Sequence, residues 1–141
     1  MRRCPLKYRN ISSSGVRVLI DTLVFLWWDR QLRRLSRPLQ AALADEANDI
    51  FVSAASVWEL AIKRASGKIR FDRPIVEAVS ELGFEILPVN GLHAEHAGDL
   101  PSHHNDPFDR LIIAQASLEG LILGTQDRQM RPYGVAMLGL D

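Results

Sequence analysis

The chain has 141 residues, enough for one domain with a buried core, and its 47% hydrophobic and 24% charged residues are typical of globular proteins. No apolar run approaches the roughly 20 residues that a membrane helix needs. The single cysteine excludes an internal disulfide and a cysteine-based zinc site, which fits a reducing compartment. We therefore expect a cytoplasmic protein without a membrane partner.

The net charge of zero hides an uneven distribution. Four of the 17 basic residues lie in residues 1–15, which hold no acid, so the rest of the chain carries 13 basic and 17 acidic residues. Residues 1–15 lack periodicity and end in Ser-Ser-Ser-Gly, which predicts a disordered basic extension before a folded domain at 16–141. A transit peptide or non-native residues are the alternatives for this segment. Proteins that grip nucleic acid by general electrostatics are usually basic, so an acidic domain that does so needs a metal ion and a basic rim.

The predicted elements alternate between strands and helices, with Ser36, Ser53 and Asp106 as helix caps. In chain order they are strand 16–20, helix 23–28, helix 36–44, strand 50–52, helix 54–65, helix 74–82, strand 84–87, helix 92–98, helix 107–119, strand 121–123 and an edge strand 135–138. Such alternation favours a parallel sheet with helices on both faces. We therefore predict an α/β fold, a three-layer α/β/α sandwich with four to five parallel strands.

Four acidic residues fall where such a fold brings side chains to one edge of the sheet. Asp21 follows the first strand and Asp127 follows the fourth, while Glu59 lies in the helix after the second strand and Asp109 in the first turn of helix 107–119. Right-handed crossovers place strand ends and the following helix starts at the same edge. Hard divalent cations prefer oxygen ligands, so the joint placement indicates a metal site.

Each acid also has a purely structural explanation. Asp21 can cap the next helix, Glu59 can pair with Lys63 one turn later, Asp109 can favour the helix dipole, and Asp127 can serve a turn. The argument for chemistry therefore depends on all four acids together.

Four ordered motifs lie within residues 16–139. They are Val18-Leu-Ile-Asp-Thr22 with Leu26-Trp-Trp28, Phe51-Val-Ser-Ala-Ala-Ser-Val-Trp-Glu-Leu-Ala-Ile-Lys63, His104-Asn-Asp-Pro-Phe-Asp-Arg-Leu-Ile-Ile-Ala-Gln-Ala116 and Leu123-Gly-Thr-Gln-Asp127. Together they resemble the motifs of PIN-domain, VapC-like toxins. The resemblance implies a Mg²⁺ or Mn²⁺ site built from Asp21, Glu59, Asp109 and Asp127. It implies hydrolysis of RNA by a metal-activated water, with Asp21 and Asp109 as metal ligands, Glu59 on metal or water, and Asp127 supporting a second ion or acting through water.

The resemblance also implies partners: an RNA substrate, a small antitoxin that enters the active-site groove, and a second copy in a homodimer. Arg110 and Arg128 stand beside two of the acids and are candidate contacts for phosphate or antitoxin, the alternative being that they are simply solvated. Two positions depart from the pattern, because Leu23 stands where histidine is frequent and Gln126 where Thr-Arg-Asp has arginine. Neither removes a carboxylate.

The histidines and tryptophans receive structural predictions. Surface roles or support of the ligands are expected for His93, His96, His103 and His104, rather than a zinc site. Core or dimer-face roles are expected for Trp27, Trp28 and Trp58, rather than base stacking.

Other classes of protein require residues that this chain lacks, or do not require the four acids. A haloacid-dehalogenase-type phosphatase expects a second Asp where Leu23 stands, and a receiver domain expects a late lysine, although none follows Lys68. A non-catalytic PIN-like module that binds RNA or antitoxin stays open, as does a scaffold that uses the tryptophan-rich helix. Binding alone does not require an acidic metal pocket, so the four carboxylates favour the enzyme.

Overall fold

The computed structural model describes residues 15–140, so the predicted extension at 1–15 lies outside the described residues except for its last member. Its strands are β1 (Arg17–Ile20), β2 (Asp49–Ser53), β3 (Glu85–Leu87), β4 (Ile122–Gly124) and β5 (Met137–Leu138). Its α-helices are α1 (Thr22–Arg30), α2 (Arg37–Ala44), α3 (Ala54–Ala65), α4 (Ile75–Glu81), α5 (Gly91–Asp99) and α6 (Pro107–Glu119). Every predicted strand and helix is present, with ends shifted by two residues at most.

The five strands form one parallel sheet in the order β3-β2-β1-β4-β5. The predicted α/β class and the parallel sheet are therefore confirmed, with β5 at the edge. From β1 the chain builds β2 and β3 on one side of the sheet, and β4 and β5 then add on the other side. The direction in which strands are added to the sheet therefore reverses between the neighbours β1 and β4, and open α/β sheets place their sites in the crevice at such a point.

Alternation along β1 divides the core between the two faces of the sheet. Val18 and Ile20 join a cluster with α1 to α4, while Leu19 joins a second cluster with α6. Burial on both faces explains why β1 reads as a continuous apolar run. None of the helices found in residues 15–140 is long and apolar enough to cross a membrane.

Helix caps fix the elements that carry site residues. The Asp106 carboxylate accepts hydrogen bonds from the backbone N–H groups of Phe108 and Asp109 at 2.9 and 3.0 Å, and Pro107 begins α6. Gly120 ends α6 in a left-handed conformation with φ of 65°, which glycine adopts at no steric cost. The predicted caps at Ser36 and Ser53 are likewise present.

Two short 3₁₀ helices, Leu32–Arg34 and Arg128–Tyr133, were not predicted. Both follow elements of the site: the first follows α1, and the second begins directly after Asp127. Helices of only one or two turns are too short to show a hydrophobic period, so the sequence pattern does not predict them.

Candidate active site

Asp21 lies at the end of β1, in the crevice beside β4. Its backbone N–H donates to the carbonyl of Gly124 at 3.0 Å, which extends the β1–β4 pairing to the site. One carboxylate oxygen caps α1 by accepting from the N–H of Val24 at 2.8 Å, and the other accepts from the Thr125 hydroxyl at 2.6 Å. Asp21 therefore caps α1 while lying at the edge of the sheet where a metal ligand is predicted.

Burial sets the electrostatics of Asp21, which is only 5% exposed. Its carboxyl pKa is raised from 3.8 to about 6: burial is the largest cause, the hydrogen bonds from Thr125 and Val24 oppose it, and the charges of Asp127 and Glu59 add to it. Such a carboxylate is a strong candidate for a cation ligand, because a bound cation would restore the stability of its charged form.

Thr125 connects the acids that follow β1 and β4. Its hydroxyl donates to Asp21 and accepts from the backbone N–H of Asp127 at 3.0 Å. The residue is fully buried, so both partners are held without competition from water. Thr125 thus fixes the distance between the two acid-bearing strand ends.

Glu59 reaches the site from α3 and is buried. Its Oε1 lies 2.7 Å from the Thr22 hydroxyl, which is 2.9 Å from that of Ser56; since a hydroxyl has one proton, Thr22 donates to Glu59 and accepts from Ser56. Its Oε2 accepts from Lys63 Nζ at 2.9 Å. The predicted ion pair is present, and it partly neutralises a carboxylate that also acts electrostatically on Asp21 and Asp109.

Asp109 and Asp127 meet through His104. The Nε2 atom of His104 lies 2.9 Å from Asp109 Oδ2 and 3.1 Å from Asp127 Oδ2. The backbone N–H of Asp106 points at His104 Nδ1 at 3.4 Å, which assigns the proton to Nε2 and makes this atom the donor to both carboxylates. The two carboxylate oxygens and Nε2 lie within 4.8 Å of one another, so the two carboxylates are close enough to share one ion.

The pKa of Asp109 is raised from 3.8 to about 7. Burial is the largest cause, the charges of Asp106, Asp21 and Glu59 add to it, and His104 opposes it. Asp109 responds to both Asp21 and Glu59, and Asp21 responds to Asp127 and Glu59, so all four predicted acids belong to one electrostatic cluster.

A recess of about 240 Å³ opens onto this cluster, and its walls combine acids with apolar side chains. It is lined by Asp21, Leu23, Val24, Trp27, Gln126 and Asp127. Larger recesses lie elsewhere, among the arginines of residues 30–34 and 70–73, and none of the four acids lines them.

The two predicted arginine contacts differ in their surroundings. The Arg110 guanidinium donates to five backbone carbonyl oxygens of residues 97–104, at 2.7 to 3.5 Å, so it organises the connection between α5 and α6 rather than being solvated. Arg128 is exposed at the start of the second 3₁₀ helix. A contact of either arginine with RNA or antitoxin stays a prediction.

The structure corrects the expectation for one histidine and tests those for the tryptophans. His93 is 2% exposed and lies 3.1 Å from a Glu119 oxygen, so it is a buried helix-packing residue rather than a surface one. His104 touches two of the site acids, which agrees with a role beside the ligands. Trp27 and Trp28 pack against the core as expected. Trp58 is 62% exposed, so of its two expected roles only the dimer face remains, and this role stays a prediction.

Several site residues escaped the sequence reasoning: Thr22, Ser56, Thr125 and the contacts of His104. Their signals were present, because Thr22 and Thr125 adjoin or lie two residues from a predicted ligand, and His104 lies five residues before Asp109. Sequence spacing cannot say which hydroxyl turns inward, so only the packed structure separates them from surface polar residues.

The chain matches a known family. The family model of the PIN domain matches residues 18–135. The chain is 33% identical over 119 residues to "Ribonuclease VapC22" of Mycobacterium tuberculosis (strain ATCC 25618 / H37Rv), a match that covers 82% of this chain and 91% of that protein.

Solved structures of toxin–antitoxin proteins share the fold. The DNA-bound VapBC from Salmonella typhimurium superposes with a TM-score of 0.64 at 16% identity, covering 86% of this chain and 96% of that one. VapBC2 from Rickettsia felis, bound to a DNA fragment from the promoter, gives a TM-score of 0.63 at 15% identity over 86% of this chain and 97% of that one. Together with the family model and the curated relative, these matches show that the chain belongs to the PIN-domain family, among its VapC-like members.

Proposed function

We propose that this chain is a divalent-metal-dependent endoribonuclease and the toxin of a type II toxin–antitoxin pair. The observation that carries the proposal is the convergence of Asp21, Glu59, Asp109 and Asp127 from four elements into one cluster, in which two carboxyl pKa values lie near neutrality. The 33% identity to a protein named as a ribonuclease supports the same reaction.

The residues present fit a hard divalent cation such as Mg²⁺ or Mn²⁺. The donor set is four carboxylates with one imidazole nearby. Burial first, and neighbouring carboxylates second, raise the pKa values of Asp21 and Asp109, so a bound cation would stabilise their charged forms. When bound, such an ion lowers the pKa of a water and stabilises charge on the phosphate and on the leaving oxygen.

The chain's own residues hold and orient this site. Asp21 and Asp109 are the proposed ligands, and Asp127 supports a second ion or acts through water. Thr125 and Thr22 donate to the carboxylates of Asp21 and Glu59, which keeps each carboxylate in one orientation.

Hydrolysis joins a water oxygen to phosphorus and breaks the bond from phosphorus to the leaving ribose oxygen, which gains a proton. Glu59 enters from α3, whereas Asp21 and Asp127 enter from strand ends, so we assign Glu59 to the metal or to positioning the water. Lys63, 2.9 Å from Glu59 Oε2, pairs with this carboxylate and restrains its orientation.

We further propose that the chain acts in the cytoplasm as a homodimer, on RNA, and that a small cognate antitoxin silences it. The likeness to the structures of VapBC complexes and of FitAB bound to a DNA fragment supports the antitoxin partner. The folded domain proper would be residues 16–141, with 1–15 as a basic extension.

Cleavage of total RNA by the purified, antitoxin-free protein tests the proposal. The assay compares Mg²⁺, Mn²⁺ and EDTA, and it compares Asp109→Asn with the matched control Asp99→Asn, an exposed acid at the end of α5. We expect discrete cleavage that EDTA and Asp109→Asn abolish and Asp99→Asn retains. Cleavage that survives Asp109→Asn contradicts the site, and folded protein that binds RNA without cutting it supports the non-catalytic module instead.

A further inference from the structure

A short basic segment lies beside the acidic site. Residues 30–37 contain four arginines and no acid, in a domain whose acids outnumber its basic residues. We call residues 30–37 the arginine strap; it comprises the end of α1, the first 3₁₀ helix and the start of α2.

Gln126 fastens the strap to the end of β4. Its Oε1 accepts from the backbone N–H of Ser36 at 2.6 Å, and its Nε2 donates to the carbonyl of Arg34 at 3.2 Å. Gln126 stands between Thr125 and Asp127, so these bonds tie the strap directly to the site.

Arg34 is also held through its side chain. Its guanidinium carbon lies 5.0 Å from the centroid of the Trp27 ring, and Trp27 lines the same recess as Asp21 and Asp127. A guanidinium stacked on an aromatic ring keeps its N–H edges available for a phosphate.

Other nearby arginines are already engaged. Arg73 Nη2 lies 2.6 Å from Asp29 Oδ1, and Arg30 donates to the carbonyl of Arg70 while lying over the Phe71 ring. By contrast, no carboxylate within residues 15–140 pairs with Arg33 or Arg34, and both side chains are exposed. A surface recess of about 470 Å³ runs along residues 30–34.

We propose that Arg33 and Arg34 bind backbone phosphates of the RNA strand whose scissile bond lies at the acid cluster. This inference rests on the proposed function and adds the path of the substrate. An acidic site repels a polyanion, so a cationic rim beside it is what lets the strand approach. Gln126 stands where the family pattern has arginine and carries no charge itself. Its hydrogen bonds to the arginine strap instead keep the cationic side chains of the strap beside the site.

Binding of a short fluorescein-labelled single-stranded RNA tests the strap. The parent is the full chain with Asp109→Asn, which keeps the RNA intact, measured by fluorescence anisotropy in Mg²⁺ over a series of salt concentrations. Two variants of this parent are compared with it. One carries Arg33→Gln together with Arg34→Gln. The control carries Arg17→Gln, which removes an exposed arginine at the opposite, amino-terminal end of β1.

We expect the double variant to weaken binding roughly tenfold and to reduce the slope of log K against log salt by about 1.4, since each single-strand phosphate contact contributes about 0.7. Arg17→Gln should match the parent in both. Circular dichroism spectra identical to the parent's exclude misfolding as the cause.

The outcomes separate this inference from the function on which it rests. If the parent binds RNA and the double variant has the same affinity and slope, the strap is not the phosphate track, while the nuclease proposal stands. If that variant instead loses binding to polyglutamate, the strap serves an acidic protein segment and our inference is wrong. If the parent binds no RNA at any salt concentration, both proposals fail.

Discussion

Replacing Asp109 by asparagine should stabilise the metal-free protein at neutral to alkaline pH. The folded-state pKa of Asp109, about 7, lies above its ordinary value of 3.8. Below about pH 4 the carboxyl is protonated in both the folded and the unfolded state, so it does not lower the free energy of unfolding. Between about pH 4 and 7 only the unfolded chain releases the proton, so the free energy of unfolding falls as the pH rises. Above about 7 the full cost of ionising the folded-state carboxyl is present.

The size of the effect follows from the pKa shift and from the contacts that asparagine loses. Three pKa units correspond to at most about 4 kcal/mol. The Asp109 side chain is 19% exposed and shares its repulsion with other acids, so we halve this figure to about 2 kcal/mol. Loss of the charged bond to His104 costs about 1 kcal/mol. The net gain is about 1 kcal/mol, or about 3 °C in Tm at about pH 8, and close to zero at about pH 5.

Thermal unfolding in EDTA, followed by circular dichroism at both pH values, measures this difference. Asp99→Asn is the matched control, and its Tm should follow that of the wild type at both pH values. An Asp109→Asn Tm below wild type by the same amount at both pH values would refute the reasoning, because it would show that Asp109 carries no buried charge in the folded protein.

Three other predictions follow from the same contacts. Saturating Mn²⁺ should raise the Tm of the wild type more at about pH 8 than at about pH 5, because protons compete with the ion for the same carboxylates. At a hundredfold excess over Kd the ion adds up to about 3 kcal/mol to the free energy of unfolding, and differential scanning fluorimetry measures the Tm shift. Thr125→Val should cost about 2 kcal/mol and at least tenfold in RNA cleavage, because it leaves Asp21 Oδ2 and the Asp127 N–H without their partner; Thr125→Ser, which keeps the hydroxyl, should retain activity. Arg110→Lys should cost about 1–2 kcal/mol in urea unfolding, since one ammonium cannot span five carbonyl oxygens; an unchanged midpoint would contradict this role.

The fold was predictable because local signals agreed with one another. The serine and aspartate caps at Ser36, Ser53 and Asp106 and the glycine at Gly120 mark helix ends through backbone hydrogen bonds and conformation, which depend on few neighbours. The run Val18–Ile20 is apolar because both faces of β1 are covered. The two 3₁₀ helices lacked such signals.

The site was predictable only at the level of backbone position. The order of strands and helices brings Asp21 and Asp127 to one edge, whatever their side chains do. The bridge of His104 to two carboxylates depends on a ring orientation set by the Asp106 N–H, and the carbonyl contacts of Arg110 depend on the loop path. Long-range packing decides these contacts, and neither periodicity nor spacing encodes it.

The hydrogen bond from Thr125 to Asp21 spans 104 positions of the chain. A ribosome releases β1 and α1 long before β4, so a growing chain carries Asp21 without the neighbour strand that completes its surroundings. Any fragment that stops before β4 lacks Thr125 and Asp127 and has β1 with one open edge. The acidic cluster therefore forms only when synthesis of the domain is nearly finished. Translation products that end before β4 cannot form it.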